Sequence, residues 1–266
     1  MPRLNIVPSP SAEVALTPYD GATFPKLQQL FDAHANSSPL AALAREPQEA
    51  SVAVVLENRS IKAITGLAYR WVTVDQSGRS QPRSVFSDSY MVDVYRAVAE
   101  PGSRLLVTPS GMLHEALIDH VLGGGGCIGA GTRPRPLDNI AEVTFEIDFI
   151  LFADGEISGA DPDRRAIELQ CRKPAAEFVA KQIRRAMEEH RDVEPVLSAL
   201  AEIPSLGSLH HLGRGRNDPT VLWIKHYAQD YLRHVKRNND RINWAEARLR
   251  SLENRPTLPK FYRRQQ

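Results

Sequence analysis

Ala141-Glu142-Val143-Thr144-Phe145-Glu146-Ile147-Asp148-Phe149-Ile150-Leu151-Phe152 is the stretch that decides the fold. Val143, Phe145, Ile147, Phe149 and Leu151 alternate with Glu142, Thr144, Glu146 and Asp148 over the first eight positions. Side chains of a strand point to opposite faces in turn, so this pattern predicts a strand with one buried and one wet face. Asp154-Gly155 then turns the chain into Glu156-Ile157-Ser158, a short returning strand.

The texture upstream is the same. Val52, Val54 and Leu56 alternate with Ala53, Val55 and Glu57, and Asn58-Arg59-Ser60 makes a turn. A second strand follows from Ile61 to Val74, with Leu67, Tyr69 and Trp71 on one face, and Asp75-Gln76-Ser77-Gly78 closes it with turn chemistry. A third extended stretch runs from Val85-Phe86 to Val94. Pro101-Gly102 is a turn before Arg104-Leu105-Leu106-Val107. Strands separated by turns, without regular helix alternation, predict an antiparallel sandwich rather than a parallel α/β sheet. Residues 1–49 are cut up by proline, which leaves room for an edge strand at Glu13-Val14-Ala15-Leu16. Two short helices fit there, one around Leu27, Leu30 and Phe31, the other around Leu40 and Leu43.

Beyond Gly159 the periodicity becomes helical. Asp161-Pro162 reads as a cap followed by the residue favoured at the first helical position. Pro174 is expected to kink or divide that helix, and Phe178, Val179, Ile183, Ala186 and Met187 form its apolar stripe. Val193, Val196, Leu197 and Leu200 suggest a short helix. Asp218-Pro219 starts another, with Val221, Ile224, Ala228, Tyr231 and Val235 on one face. The expected organisation is therefore short N-terminal elements (1–49), a sandwich (50–160) and a basic α-helical C-terminal region (161–266), α+β overall.

Several of these segments resemble a known kind of module. Leu56-Glu57-Asn58-Arg59-Ser60-Ile61-Lys62-Ala63-Ile64-Thr65-Gly66, Trp71, Asp75 with Gly78, Pro101-Gly102, and Phe149-Ile150-Leu151-Phe152-Ala153-Asp154-Gly155 resemble immunoglobulin-like or fibronectin-III-like sandwich modules of bacterial proteins. In those modules an N-x-S-x-K-x-I turn joins two strands and a later strand ends in F-x-D-G. The resemblance implies a sandwich over roughly residues 50–160 and no particular activity. No cysteine pair flanks Trp71 as in antibody domains, and the glycine-rich run Gly123 to Gly131 interrupts the pattern.

Composition narrows the function classes. The chain has 266 residues with 33 Lys+Arg and 32 Asp+Glu, and 42% of its residues are hydrophobic, a balance that excludes collagen, a disulfide scaffold and wholesale disorder. No apolar run is long enough to cross a bilayer as a helix. Pro8, Pro10 and Glu13 break up any secretory signal, and Cys127 and Cys171 form no C-x-x-C pair, so the expected compartment is the cytoplasm. The formal charge of +1 is a sum of opposites. Residues 1–163 carry 12 Lys+Arg against 20 Asp+Glu, a charge of −8, while residues 164–266 carry 21 against 12, a charge of +9.

Each candidate for chemistry has a plainer reading beside it. Gly124-Gly125-Gly126-Cys127-Ile128-Gly129 matches G-x-G-x-x-G, but Arg133-Pro134-Arg135-Pro136 follows it where a dinucleotide site needs a helix. His114, Glu115, Asp119 and His120 lack the H-E-x-x-H spacing. His226, Asp230 and His234 share one helix face, where Asp230 has Arg233 as an ordinary partner. Glu142, Glu146 and Asp148 share the wet face of a strand, which has to carry polar groups in any case. No cofactor and no metal site is expected.

The remaining signal is charge. Residues 207–266 carry 13 Lys+Arg against five Asp+Glu, with Trp223, Tyr227, Tyr231, Trp244, Phe261 and Tyr262 interleaved. Arg214, Arg216, Arg237, Arg241, Arg248 and Arg250 are the candidate partner-binding residues. Docking of this basic region on an acidic surface, of its own chain or of a protein partner, is the favoured use. Nucleic acid is the alternative, through phosphate contacts and stacking. The expected function is a non-catalytic binding or scaffold protein, with nucleic-acid binding second and a hydrolase without a recognisable motif third.

Overall fold

The structure is a computed structural model and describes residues 2–20, 51–90, 97–109, 111–114, 137, 139–202, 219–235, 250 and 258–263. The chain divides into two compact units. One comprises residues 1–89, 96–161 and 260–266, the other residues 90–95 and 162–259.

The first unit is built of two mostly antiparallel sheets. The larger contains β1 (Arg3–Ile6), β4 (Ile64–Asp75), β5 (Ser80–Asp88), β8 (Ile140–Phe152), β9 (Glu156–Ser158) and β10 (Tyr262–Arg263). Its order is β10-β9-β8-β4-β5, with β1 added in parallel beside residues 142–145 of β8. The smaller sheet runs β2 (Val14–Pro18), β3 (Val54–Asn58), β6 (Arg104–Thr108) and β7 (Gly111–His114), antiparallel throughout. Both sheets contribute to one core. Val54, Leu56, Leu105 and Val107 meet Leu67, Tyr69, Trp71, Phe145 and Ile150 there, and the Trp71 and Phe145 ring centroids lie 4.7 Å apart. Leu67, Tyr69 and Trp71 thus share the buried face, as their alternation requires. The edge strand expected at residues 13–16 forms as β2. The β1 strand, Arg3-Leu4-Asn5-Ile6, alternates over only four residues between Pro2 and Pro8, and the sequence reading misses it.

The strict alternation of β8 stops halfway. Ala68 on β4 faces Phe149, but its neighbour Tyr69 faces Ile147, so Asp148 is an extra residue, a β-bulge. After it the side chains exchange faces. Val143, Phe145 and Ile147 point into the shared core, but so do Ile150 and Phe152, while Phe149 and Leu151 are buried outside that cluster. Gly66 on β4 makes the close approach feasible. A Cβ there would lie 3.2 Å from Leu151 Cβ and 3.4 Å from Phe149 Cε1. Phe86 on β5 meets Phe149 edge-on at 6.2 Å. Of the extended stretch read from Val85 to Val94, residues 85–88 belong to β5, Ser89 and Tyr90 form a turn, and residues 91–94 lie outside the described residues.

Among the described residues the second unit contains the helices α1 (Arg165–Glu188), α2 (Val193–Ala201) and α3 (Pro219–Val235). Their apolar stripes close on one another through Ala176, Val179, Ile183, Leu197, Ile224, Ala228 and Tyr231. Two details of α1 correct the sequence reading. Asp161-Pro162 does not cap it: the N-cap position is Arg164, with no side-chain cap, and the Asp161 N–H donates to the bulge carbonyl of Asp148 at 3.0 Å. Asp161 and Arg164 both take left-handed conformations, and the helix starts only at Arg165. Nor does Pro174 divide α1, which runs unbroken over 24 residues. A proline inside a helix costs about 3 kcal/mol. The fully buried Ala175, Ala176 and Val179 immediately after it supply packing that offsets this cost. No helix among the described residues is long and apolar enough to cross a membrane.

The bulge makes a sharp demand at Gly159. Its φ is +98°, and a Cβ would stand 2.4 Å from the Asp148 carbonyl oxygen. Gly78, with φ +83° and open space around it, carries only the conformational demand. Gly159→Ala is expected to destabilise the protein by about 3 kcal/mol or more, and Gly78→Ala by about 1 kcal/mol. Urea unfolding of the two variants checks the order.

Candidate functional site

The β3–β4 turn is held from within by one buried carboxamide. Asn58 closes β3, and its Nδ2 donates to the carbonyls of Lys62 (2.9 Å), Ala99 (3.1 Å) and Glu100 (3.2 Å). Its Oδ1 accepts from the Ser60 hydroxyl at 2.7 Å and from the Ser60 N–H at 3.2 Å. The Ser60 hydroxyl lies 2.6 Å from the Lys62 carbonyl and accepts from the Lys62 N–H at 3.1 Å. Asn and Ser suit this task because short polar side chains reach backbone groups two to four residues away. Between these fixed points Ile61 is 92% exposed.

Lys62, the next residue, reaches two carboxylates. Its Nζ is 2.6 Å from Asp154 Oδ2 and 2.6 Å from Glu156 Oε2, and it lies 5.9 Å from the centre of the Phe152 ring. The Asp154-Gly155 turn and β9 bring both acids to this end of the sheet, and Gly155 takes φ +93° there. The hydrogen bond to Asp154, then that to Glu156, raises the Lys62 pKa well above the ordinary lysine range. Asp154 answers in the opposite direction. Burial pushes its carboxyl up, but bonds from Lys62, from the Glu156 N–H and from the Tyr262 hydroxyl outweigh this and hold its pKa at about 2. The Tyr262 hydroxyl donates to Asp154 Oδ2 at 2.8 Å, and the Tyr262 N–H donates to the Gly155 carbonyl at 3.0 Å. A lysine that keeps its proton so firmly is neither a base nor a nucleophile near neutral pH. The cluster fixes strands and charge in place.

The second polar cluster of the sheet lies at the bulge. Arg70 Nη2 donates to Glu146 Oε2 and to Asp148 Oδ1, each at 2.9 Å. Arg70 thus joins Glu146 to Asp148, expected on the wet face of β8 but buried, an arrangement for holding the bulge rather than for paired-carboxylate hydrolysis.

The histidine face of α3 has ordinary contacts. His226 is exposed and stacks edge-on with Trp223 at 4.9 Å, and Asp230 pairs with Arg233 at 3.8 Å. The side chain of His234 lies outside the described residues. Two aromatics expected to interleave with arginine on a nucleic-acid surface, Tyr227 and Tyr231, are each 2% exposed in the helical core. Trp223 lies under the Arg172 guanidinium at 4.3 Å. Of the candidate partner-binding arginines, Arg250 is exposed, and Arg214, Arg216, Arg237, Arg241 and Arg248 fall outside the described residues. So do Glu115, Asp119, His120, Cys127 and the glycine-rich run. His114 ends β7 and is half-buried. No group of His, Cys, Asp and Glu suited to a metal ion occurs among the described residues.

The ion pairs make two tests. In Lys62→Met, Glu156, whose side chain is 5% exposed, loses the Lys62 ammonium, and unfolding in urea should show a loss of about 3 kcal/mol. Adding Glu156→Leu should restore part of that loss, whereas independent contributions would make the double variant worse. For Asp154, a pKa lowered on folding means stability that is complete above the ordinary value of 3.8 and is lost as pH falls towards 2. Its side chain is 40% exposed, so solvent screening limits the contribution to about 1 kcal/mol. Asp154→Asn should flatten the stability profile between pH 4 and pH 2 by about that amount. Comparison with family models, with curated proteins and with solved structures found no match.

Proposed function

We propose that this protein is a non-catalytic binding or scaffold protein, built on an immunoglobulin-like β-sandwich, that engages a macromolecular partner through the β3–β4 turn. The observation that carries this reading is the presentation of Ile61. A side chain of that size held in water forgoes about 1.5–3 kcal/mol that burial against a partner recovers. The backbone around it is tied by Asn58 and Ser60, so little freedom remains to be lost on binding. Beside it Lys62 and Asp154 are locked to each other, and the exposed Arg59 pairs with Glu57 at 2.7 Å, a charged rim around an apolar anchor. Rigid turns on a two-sheet scaffold are a common place for recognition.

Because Ile61 makes so little contact with its own fold, Ile61→Asp should leave the unfolding midpoint within about 0.5 kcal/mol of wild type. The same change should reduce co-purification of the partner from cells about tenfold, as expected when an anchor is removed. Quantitative affinity isolation of the two proteins side by side provides the comparison. Equal recovery with both, or turnover of a hydrolase or oxidoreductase substrate panel by the purified chain, would overturn the reading.

A further inference from the structure

The edge of the larger sheet beside Asp154 is covered by a segment that resembles a bound peptide. The chain leaves the first unit after Asp161, builds the second unit over residues 162–259, and returns with residues 260–266. There β10 pairs in parallel with β9 over two residues only, Tyr262 opposite Glu156 and Arg263 opposite Ile157. Its anchors are few and specific. The Tyr262 hydroxyl donates to Asp154, the Tyr262 N–H to the Gly155 carbonyl, and the Arg263 guanidinium to the Gly159 carbonyl. Tyr262 is 44% exposed and Arg263 is exposed as well, so neither holds up a core.

Two residues of parallel pairing make a weak edge, since parallel bonds are slanted and slightly less stable per residue. β9 spans Glu156–Ser158, so an extended peptide could pair with one residue more than β10 does, the mode by which sheet edges recruit partner strands. Side chains supply selectivity. The acidic Asp154, flanked by Glu156, favours a hydroxyl donor, and the Gly159 carbonyl accepts from a cation one residue further on. We propose that the β9 edge is a strand-addition site for an extended peptide of a partner protein carrying an aromatic hydroxyl followed by arginine, with β10 as its occupant in cis. This rests on the binding reading above and names its partner class, but it is tested at residues other than Ile61.

The test uses the full chain and a fluorescently labelled peptide of residues 258–264, followed by anisotropy. In wild type, β10 competes at the high local concentration set by its own chain, so the labelled peptide binds weakly. The variant Tyr262→Ala with Arg263→Ala keeps the site but weakens its occupant, and should bind the peptide about tenfold more tightly than wild type. Adding Asp154→Ala to that variant should cancel the gain, and a peptide with phenylalanine in place of its tyrosine should lose most of it. Thermal unfolding of each chain verifies that it is folded. No gain in the Tyr262→Ala, Arg263→Ala variant, or a gain indifferent to Asp154→Ala, would overturn the proposal. Dimerisation of the wild-type chain that Asp154→Ala abolishes would overturn it too, since the occupant would then be a second copy's β10. Either result leaves the Ile61→Asp comparison standing on its own.

Discussion

Asn58 is a single buried side chain with five hydrogen bonds, and the candidate surface is arranged around it. A carboxamide taken out of water without partners would cost several kcal/mol, so its burial at 0% exposure is tolerable only because both ends are satisfied. The three carbonyls it binds belong to the β3–β4 turn and to the segment just before β6. Two stretches about forty residues apart in sequence are thereby fixed to each other. A hydrophobic residue at this position would fill the space, yet it would leave those carbonyls to find other donors. The turn would lose its shape, and with it the direction in which Ile61 and Lys62 point.

Electrostatics at this end act as fastening. Lys62 is held between two acids that arrive on a different hairpin, so the ammonium joins elements far apart in sequence. Pairing with two carboxylates offsets the desolvation of a partly buried lysine, and pairing with a third donor, Tyr262, completes Asp154. Arg70 plays the same part at the bulge with Glu146 and Asp148. Both clusters match cation to anion locally inside the acidic half of the chain.

Much of this was legible in the sequence, and the misses have physical causes. Alternation located β3, β4 and β8, each with one face in the shared core, the Pro101-Gly102 and Asp154-Gly155 turns located β6 and β9, and helical spacing located α1, α2 and α3 from their shared apolar stripes. The bulge was not legible. Asp148 reads as one more polar position in a regular series, and only pairing with β4 reveals two residues opposite one. The late start of α1 was not legible either: Asp161, read as its cap, takes a left-handed conformation, and its N–H bonds the distant Asp148 carbonyl. The turn motif from Asn58 to Lys62 was visible as a resemblance, but its polar bonds and the meeting of Lys62 with Asp154 depend on tertiary proximity. The polar residues singled out by spacing, such as His226 and Asp230, have ordinary surface contacts.

The exchange of faces at Asp148 also writes a rule of substitution along β8. Before the bulge, every second residue borders solvent, and Thr144 can vary without touching the core, while Glu146 is tied to its charge by Arg70. After it, Phe149, Ile150, Leu151 and Phe152 are all fully buried, two on each side of the sheet. The strand therefore passes from a period-two tolerance to a block of four positions closed to charge. Sequence drift in β8 should be confined to its first half, with the boundary set by a single inserted residue.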